Sequence, residues 1–243
     1  MNVYVFMGTH LPEMQTCVAS LAAFVPEETP SIIYYPKGLK WTETSGSQTI
    51  REVYDPESNQ WIFDPDSKAN AFIVLDPAQP IIPQLEKLAD DLRKCLIEPV
   101  KVVTCVDCQR AESSPQLRAW LDAGIYYSDV VLLGNRAKAS KSFIRNFRKG
   151  YEKQFYPCLF LFLKGPGKPD QPLEILTPDA RRLSQLFDLP EEEKAVSGLV
   201  IESSFDLDME EPEIDPFRMP DTESGQGAAN IPDVSEWIVR ERE

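Results

Sequence analysis

Two rhythms of apolar and polar positions take turns along most of this chain. Residues 2–7 form an apolar run that predicts a strand, and residues 12–24 follow with helical character, Pro12 standing in the first turn. Residues 31–35 are β-branched and aromatic, as in a short strand. Residues 48–54 and 60–63 alternate on either side of Asp55-Pro56-Glu57-Ser58-Asn59, which predicts a hairpin. Residues 71–75 are continuously apolar, the pattern of a strand buried on both faces. Residues 81–95 then place Ile82, Leu85, Leu88, Ala89 and Leu92 at helical spacing.

The alternation continues. A strand is expected over 100–106, a helix over 115–126 capped by Ser113 or Ser114, and a strand over 129–133. A basic helix over 138–151 leads to a strand over 157–163 and a glycine/proline turn over 164–170. An edge strand over 173–176 and a last helix over 178–187, capped by Thr177, complete the pattern. Strands and helices joined by short connections predict an α/β fold. Its form is three-layered, with a mainly parallel sheet of about six or seven strands, helices on both faces and the hairpin extending one edge.

The rhythm stops between Pro190 and Ser197, so the expected division is a domain over 1–190 and an acidic, proline-containing extension over 191–243. Residues 197–201 form one short apolar patch there that suits a further strand. From Glu202 onward thirteen acids face three arginines, so this stretch carries ten of the fourteen excess negative charges of the chain. The body is only mildly acidic, which argues against a nucleic-acid partner for the whole chain. The extension is not purely solvating. Phe205, Leu207, Met209, Ile214, Phe217, Met219, Ile231, Val234, Trp237, Ile238 and Val239 are interleaved with its acids. That interleaving suits a segment lying on a surface, its own or a partner's.

At 243 residues and 42% hydrophobic the chain has enough apolar material for a substantial core. No run approaches the length of a membrane span, and no basic leader precedes an apolar stretch, so neither membrane association nor secretion is expected. Five cysteines, an odd number on core-like segments, suit reduced thiols in a cytoplasmic setting.

The first strand runs into Gly8-Thr9-His10-Leu11-Pro12-Glu13-Met14-Gln15 and then a helix. This is where a phosphate-binding loop, G-x-x-x-x-G-K-[ST], would sit. Gly8 stands alone, with no second glycine, no lysine for the phosphates and no hydroxyl for magnesium. Two further segments carry a family likeness. Residues 101–110, KVVTCVDCQR, and 117–139, LRAWLDAGIYYSDVVLLGNRAKA, resemble the CobW-like branch of the P-loop GTPases, in which a VVTVVDA-like strand is followed by a helix and a strand ADVIVLNKTDL. Residues 70–80, NAFIVLDPAQP, and the opening VYVFMG are similar to two other strands of that family.

The resemblance covers residues 1–190 in pieces and implies a P-loop-NTPase-like fold. The working positions depart from it. The Walker lysine and hydroxyl and the C-x-C-C metal motif are missing. Asn135-Arg136-Ala137-Lys138 falls where N-K-x-D would stand, displaced by Gly134, and Lys138 replaces the guanine-reading aspartate. An ammonium offers only donors to guanine's own donors. The resemblance therefore implies a pseudo-GTPase: a binding or assembly module with no cofactor, no metal and a protein partner. The competing implication is a nucleotide-dependent metal chaperone using GTP and magnesium. A small-ligand-binding α/β protein is a third possibility.

Gly8, Thr9, His10, Asp76, Asp107 and Asn135 are the candidate ligand-crevice residues, since ligands in open α/β sheets bind beyond the carboxyl ends of the strands. His10, the only histidine, is either a titrating or ligating group or a packed loop residue. Asp76 and Asp107 are either a carboxylate pair for magnesium or acid/base work, or turn and cap residues. Cys105 and Cys108 form C-x-x-C, but with one cysteine inside a strand and no second pair they suit a core better than zinc. Arg136, Lys138, Lys141, Arg145, Arg148 and Lys149 form a basic docking face on and beside the 138–151 helix, suited to the acidic extension or to an anionic ligand. Phe143, Phe147 and Tyr151 form the opposite stripe of that helix and belong to the core.

Overall fold

A computed structural model describes residues 1–26, 28–36, 41, 49–55, 60–61, 68–165, 167–189, 215–217 and 231–238. In chain order the elements are β1 (Asn2–Gly8), α1 (Leu11–Phe24), β2 (Ser31–Pro36), β3 (Thr49–Asp55), β4 (Gln60–Trp61), β5 (Asn70–Val74) and α2 (Ile81–Lys94). They continue with β6 (Pro99–Asp107), α3 (Cys108–Ser113), α4 (Leu117–Tyr126), β7 (Val130–Gly134), α5 (Lys141–Glu152), β8 (Leu159–Lys164), β9 (Lys168–Pro169) and α6 (Pro172–Leu176). The nine strands form one sheet in the order β4-β3-β2-β5-β1-β6-β7-β8-β9. The seven inner strands are mutually parallel, and β4 and β9 close the two edges antiparallel.

The strand sequences dictate two apolar faces. Along β1, Val3, Val5 and Met7 point to one side and Tyr4 and Phe6 to the other, all buried, as the two-residue period requires. The first face is covered by α2, α4 and α5 through Leu85, Leu88, Trp120, Leu121, Phe147 and Tyr151. The second is covered by α1 and α6 through Met14, Cys17, Val18, Leu21 and Ile175. Burying each such side chain stabilises the fold by about 1.5–3 kcal/mol relative to exposure. The α5 stripe of Phe143, Phe147 and Tyr151 packs inward as expected, with Phe147 and Tyr151 ring centroids 5.2 Å apart.

Three expectations are corrected. Residues 173–176 are helical, in α6, because Pro172 opens the helix and Ile175 turns onto the α1 face. Residues 178–187 form no helix. Their polar groups are committed to the base of the sheet instead. Asp129, fully buried before β7, accepts from the Val102 and Arg181 amides and pairs with Arg182 at 3.3 Å. The buried Lys101 ammonium donates to the Asp179 carbonyl, Arg93 donates to the Leu186 carbonyl, and the Leu189 amide donates to Glu98. Burial lowers the Lys101 pKa. The helix expected over 138–151 begins only at Lys141. Ser140 caps it by accepting from the Phe143 amide, and Lys138 belongs to a preceding 3₁₀ turn, Arg136–Lys138.

Two pieces of the extension are described, and both lie on the body. The Tyr127 hydroxyl donates to Asp215 Oδ2 at 2.9 Å, and Phe217 packs on Tyr126 with ring centroids 5.3 Å apart. Val234 is buried in the α2/α4 cluster with Ile231 and Trp237 beside it, while Ile238 packs against the α1-side cluster. Residues 231–238 thus pass from one face of the sheet to the other beside the turn after β5. The strand suggested over 197–201 falls outside the described residues.

Candidate functional site

The strand order sets where a ligand crevice belongs. From β1 the chain crosses to β2 on one side by way of α1. From β6 it proceeds to β7 on the other side by way of α3 and α4. The connections leaving the adjacent strands β1 and β6 therefore diverge at their carboxyl ends, the topological switch point of an open α/β sheet. Gly8, Thr9 and His10 follow β1 there, Asp107 and Cys108 stand at the end of β6, and Gly134 and Asn135 at the end of β7. Gly8 is required by close approach: a Cβ on it would lie 2.8 Å from the Cys105 carbonyl oxygen of the neighbouring strand.

The chain's own groups occupy this crevice. Counted from Gly8, Glu13 takes the place of the second loop glycine, Met14 that of the lysine and Gln15 that of the hydroxyl. These residues are already helical, since α1 begins at Leu11. Met14 is wholly buried in the α1-side core. Two amides at the start of α1 are used internally. The Glu13 amide donates to His10 Nδ1 at 3.1 Å, the Met14 amide donates to the His10 carbonyl at 3.1 Å, and Pro12 has none. His10 is therefore the helix cap, its Nδ1 accepting from the Glu13 amide.

Glu13 reaches from the first turn of α1 across to the end of β7. Its Oε1 accepts from the Asn135 amide at 3.3 Å. A Cβ on Gly134 would overlap the Glu13 carboxylate, and a Cβ on Gly167 would overlap the Glu13 carbonyl oxygen. Two glycines from distant loops thus close on one glutamate. Gly167, at φ +115°, also holds a backbone conformation that favours glycine. Burial, and after it the nearby Asp107 charge, raise the Glu13 pKa to about 7, against a smaller opposing effect of the Asn135 amide.

Asp107 caps α3, accepting from the Arg110 amide at 3.1 Å through Oδ1 and from Asn135 Nδ2 at 2.9 Å through Oδ2. The Arg110 guanidinium stands 3.8 Å from it. Asn135 sits at φ +48°, its side chain turned inward onto Asp107. That side chain is not presented to a base. Asp76 is a turn residue: its Oδ1 accepts from the Ala78 amide at 2.9 Å, and Gln84 brackets its backbone. Strand β1 lies between the strands that carry Asp76 and Asp107, which separates them by about 10 Å at the usual strand spacing. Asp107 bonds Asn135 and lies near enough to Glu13 for its charge to raise that pKa, but it does not meet Asp76. The sequence signal for Glu13 was its acidic intrusion into the loop. Nothing in a single sequence marked Gly134 and Gly167 as its partners, 121 and 154 residues away.

The cysteines are free. Cys17, Cys105, Cys108 and Cys158 are buried, and Cys105 and Cys108 divide between the two core clusters. Burial pushes the Cys108 thiol up to about 12. Among the described residues no group of three or more His, Cys, Asp and Glu is placed to hold a metal ion, and no helix is long and apolar enough to cross a membrane.

The basic face is largely gathered in one place. Arg136, Lys141, Arg145, Arg148 and Lys149 line a groove of about 440 Å³ between α5 and β8, with Ile144 and Phe162 as its apolar surface and Glu152 as its one acid among the described residues. Lys138 is not part of it. The Arg136 guanidinium lies 4.0 Å from the Phe162 ring centroid, and Arg148 pairs with Glu152 at 3.3 Å. A second, more apolar groove of about 680 Å³ lies between the turn after β5, Trp120 and the docked Phe217 and Ile231–Val234 pieces. The chain matches no protein-family profile, no curated protein and no solved structure.

Proposed function

We propose that this domain acts without a nucleotide, as a binding or assembly module. It keeps a P-loop-GTPase-like, CobW-like skeleton whose acidic C-terminal region engages the basic α5 or a protein partner. The observation that carries this reading is the filling of the switch-point crevice. The Glu13 carboxyl lies against the Gly134–Asn135 backbone, and the Glu13 and Met14 amides are taken by His10. An anionic triphosphate entering there would meet two carboxyls, Glu13 and Asp107, with the Glu13 and Met14 amides already engaged by His10. Isothermal titration of the full chain with GTP, GDP and ATP in the presence of magnesium tests it. No heat of binding is expected up to about millimolar nucleotide, a free energy of about −4 kcal/mol. Micromolar binding of any of the three would reject the module and favour a nucleotide-dependent metal chaperone.

A further inference from the structure

We infer that the groove between α5 and β8 is the docking site for residues 205–210 of the same chain, Phe205-Asp206-Leu207-Asp208-Met209-Glu210. The inference rests on reading α5 as a docking face and adds to it the occupant and its register. Three observations carry it.

The first is the chemistry of the groove. Lys141, Arg145 and Lys149 make no ion pair among the described residues. Arg148 Nε is buried without a hydrogen-bond partner, although its terminal nitrogen reaches Glu152. Five cations with one acid on a rim, over Ile144 and Phe162, call for an occupant that is anionic on one side and apolar on the other.

The second is the period. In 205–210 an apolar residue and an acid alternate without exception. In extended conformation that sequence turns Phe205, Leu207 and Met209 to one side and Asp206, Asp208 and Glu210 to the other. Successive acids then stand about 6.6 Å apart. On α5, Lys141, Arg145 and Lys149 recur every four residues, about 6 Å along the helix. The two ladders of charge match over three rungs, with the apolar side facing Ile144 and Phe162. The two described parts of the extension, 215–217 and 231–238, show no such alternation in sequence.

The third is reach. Asp215 is anchored on Tyr127, at the end of α4. Helix α4 is tied to α5 through the Tyr151 hydroxyl, which donates to Asp122 at 2.6 Å, and through Arg118 over the Tyr151 ring at 4.8 Å. Neighbouring helix axes lie about 8–10 Å apart. The five to ten residues between the segment and Asp215 span up to about 17–33 Å. The tether holds the segment near the groove at roughly millimolar effective concentration, enough for a weak ionic contact to be populated.

Hydrogen exchange on the full chain, resolved at 205–210, tests the docking. The comparison needs Arg145→Glu/Lys149→Glu, Asp206→Lys/Asp208→Lys and the four substitutions combined. Arg145 and Lys149 are exposed, so their reversal leaves the core intact. In the wild-type chain at low salt, exchange at 205–210 should be slowed about tenfold. The protection should vanish in either double variant and at about 1 M salt, where the screening length is about 3 Å, and return in the combined variant. Exchange at the intrinsic rate in the wild type at low salt would overturn the inference. So would protection that survives Arg145→Glu/Lys149→Glu, or protection that grows with protein concentration, which would place the segment on a second copy. A polyglutamate peptide added to the Asp206→Lys/Asp208→Lys chain separates the two levels. If it protects α5 while wild-type 205–210 stays unprotected, the docking face stands and this occupant falls. If it too fails to bind, both fall.

Discussion

Replacing Glu13 by glutamine should change how stability depends on pH, because this buried carboxyl holds its proton more tightly in the folded state. Its pKa rises from 4.5 to about 7 on folding, chiefly through burial and then through Asp107. The folded state therefore binds the proton more tightly than the unfolded chain does. The resulting stability is fully present below about pH 4.5, declines as pH rises, and is gone above about pH 7. At 1.36 kcal/mol per tenfold change in proton affinity, ionised Glu13 destabilises the fold by about 3 kcal/mol at alkaline pH. Glu13→Gln keeps a carbonyl oxygen for the Asn135 amide and an amide to offer Asp107, but it carries no proton to lose.

Urea unfolding at constant ionic strength, from about pH 5.5 to 8.5, stays clear of the isoelectric region near pH 4.6. Over that range the stability of Glu13→Gln relative to the parent should rise by about 2 kcal/mol, since the steepest part of the Glu13 linkage falls there. Every other titrating group is common to both proteins and cancels in the difference. A difference constant to within about 0.5 kcal/mol across the range would show that Glu13 is solvated and that the crevice is not closed over it.

Two further predictions test how the fold is held. Gly134→Ala should destabilise by about 1–3 kcal/mol through overlap with the Glu13 carboxylate, and Glu13→Ala should relieve most of that loss. Additive effects in the double-mutant cycle would refute the grip on Glu13. Arg182→Met leaves the fully buried Asp129 carboxyl without its cationic partner and should cost about 3–5 kcal/mol in urea unfolding. A loss under about 1 kcal/mol would mean that residues 177–189 are not fastened to the base of β7 by this pair.

The parallel sheet and both helical layers were legible because buried strands and amphipathic helices write different periods. Strands β1, β5, β6 and β7 are nearly uninterrupted apolar runs, and α2 and α5 carry clean stripes. The failures have local causes. PLEIL looks extended by composition, yet Pro172 and the pull of Ile175 into the α1 face make it a turn of helix. Residues 178–187 have the spacing of a helix, but their amides and side chains find better partners in Asp129, Lys101 and Glu98, which are distant in sequence. Helix α3 was missed because its signal is only Asp107 as a cap followed by six residues. At the crevice the absence of a phosphate loop was readable from Gly8–Gln15. What fills the space was not, since Glu13, Asp107, Asn135, Gly134 and Gly167 meet only when four loops converge.

That convergence bears on how the switch point of this sheet is held together. An open α/β sheet leaves a polar hollow at its switch point, and an unfilled hollow would leave the amides at the start of α1 and the end of β7 without partners. Those unmade hydrogen bonds cost about 1–3 kcal/mol each. Here His10 takes two of the α1 donors and Glu13 takes the Asn135 amide. Glycines at 134 and 167 supply the room that Glu13 needs. The carboxyl is a tethered acceptor at this point of the scaffold, and its charge can be removed by a proton. A nucleotide would have to displace Glu13 and leave the displaced carboxylate beside Asp107. Binding and an intact Glu13–Asn135 contact are therefore mutually exclusive, and a single crystal soak with Mg–GTP that preserved this contact beside bound phosphate would contradict the account.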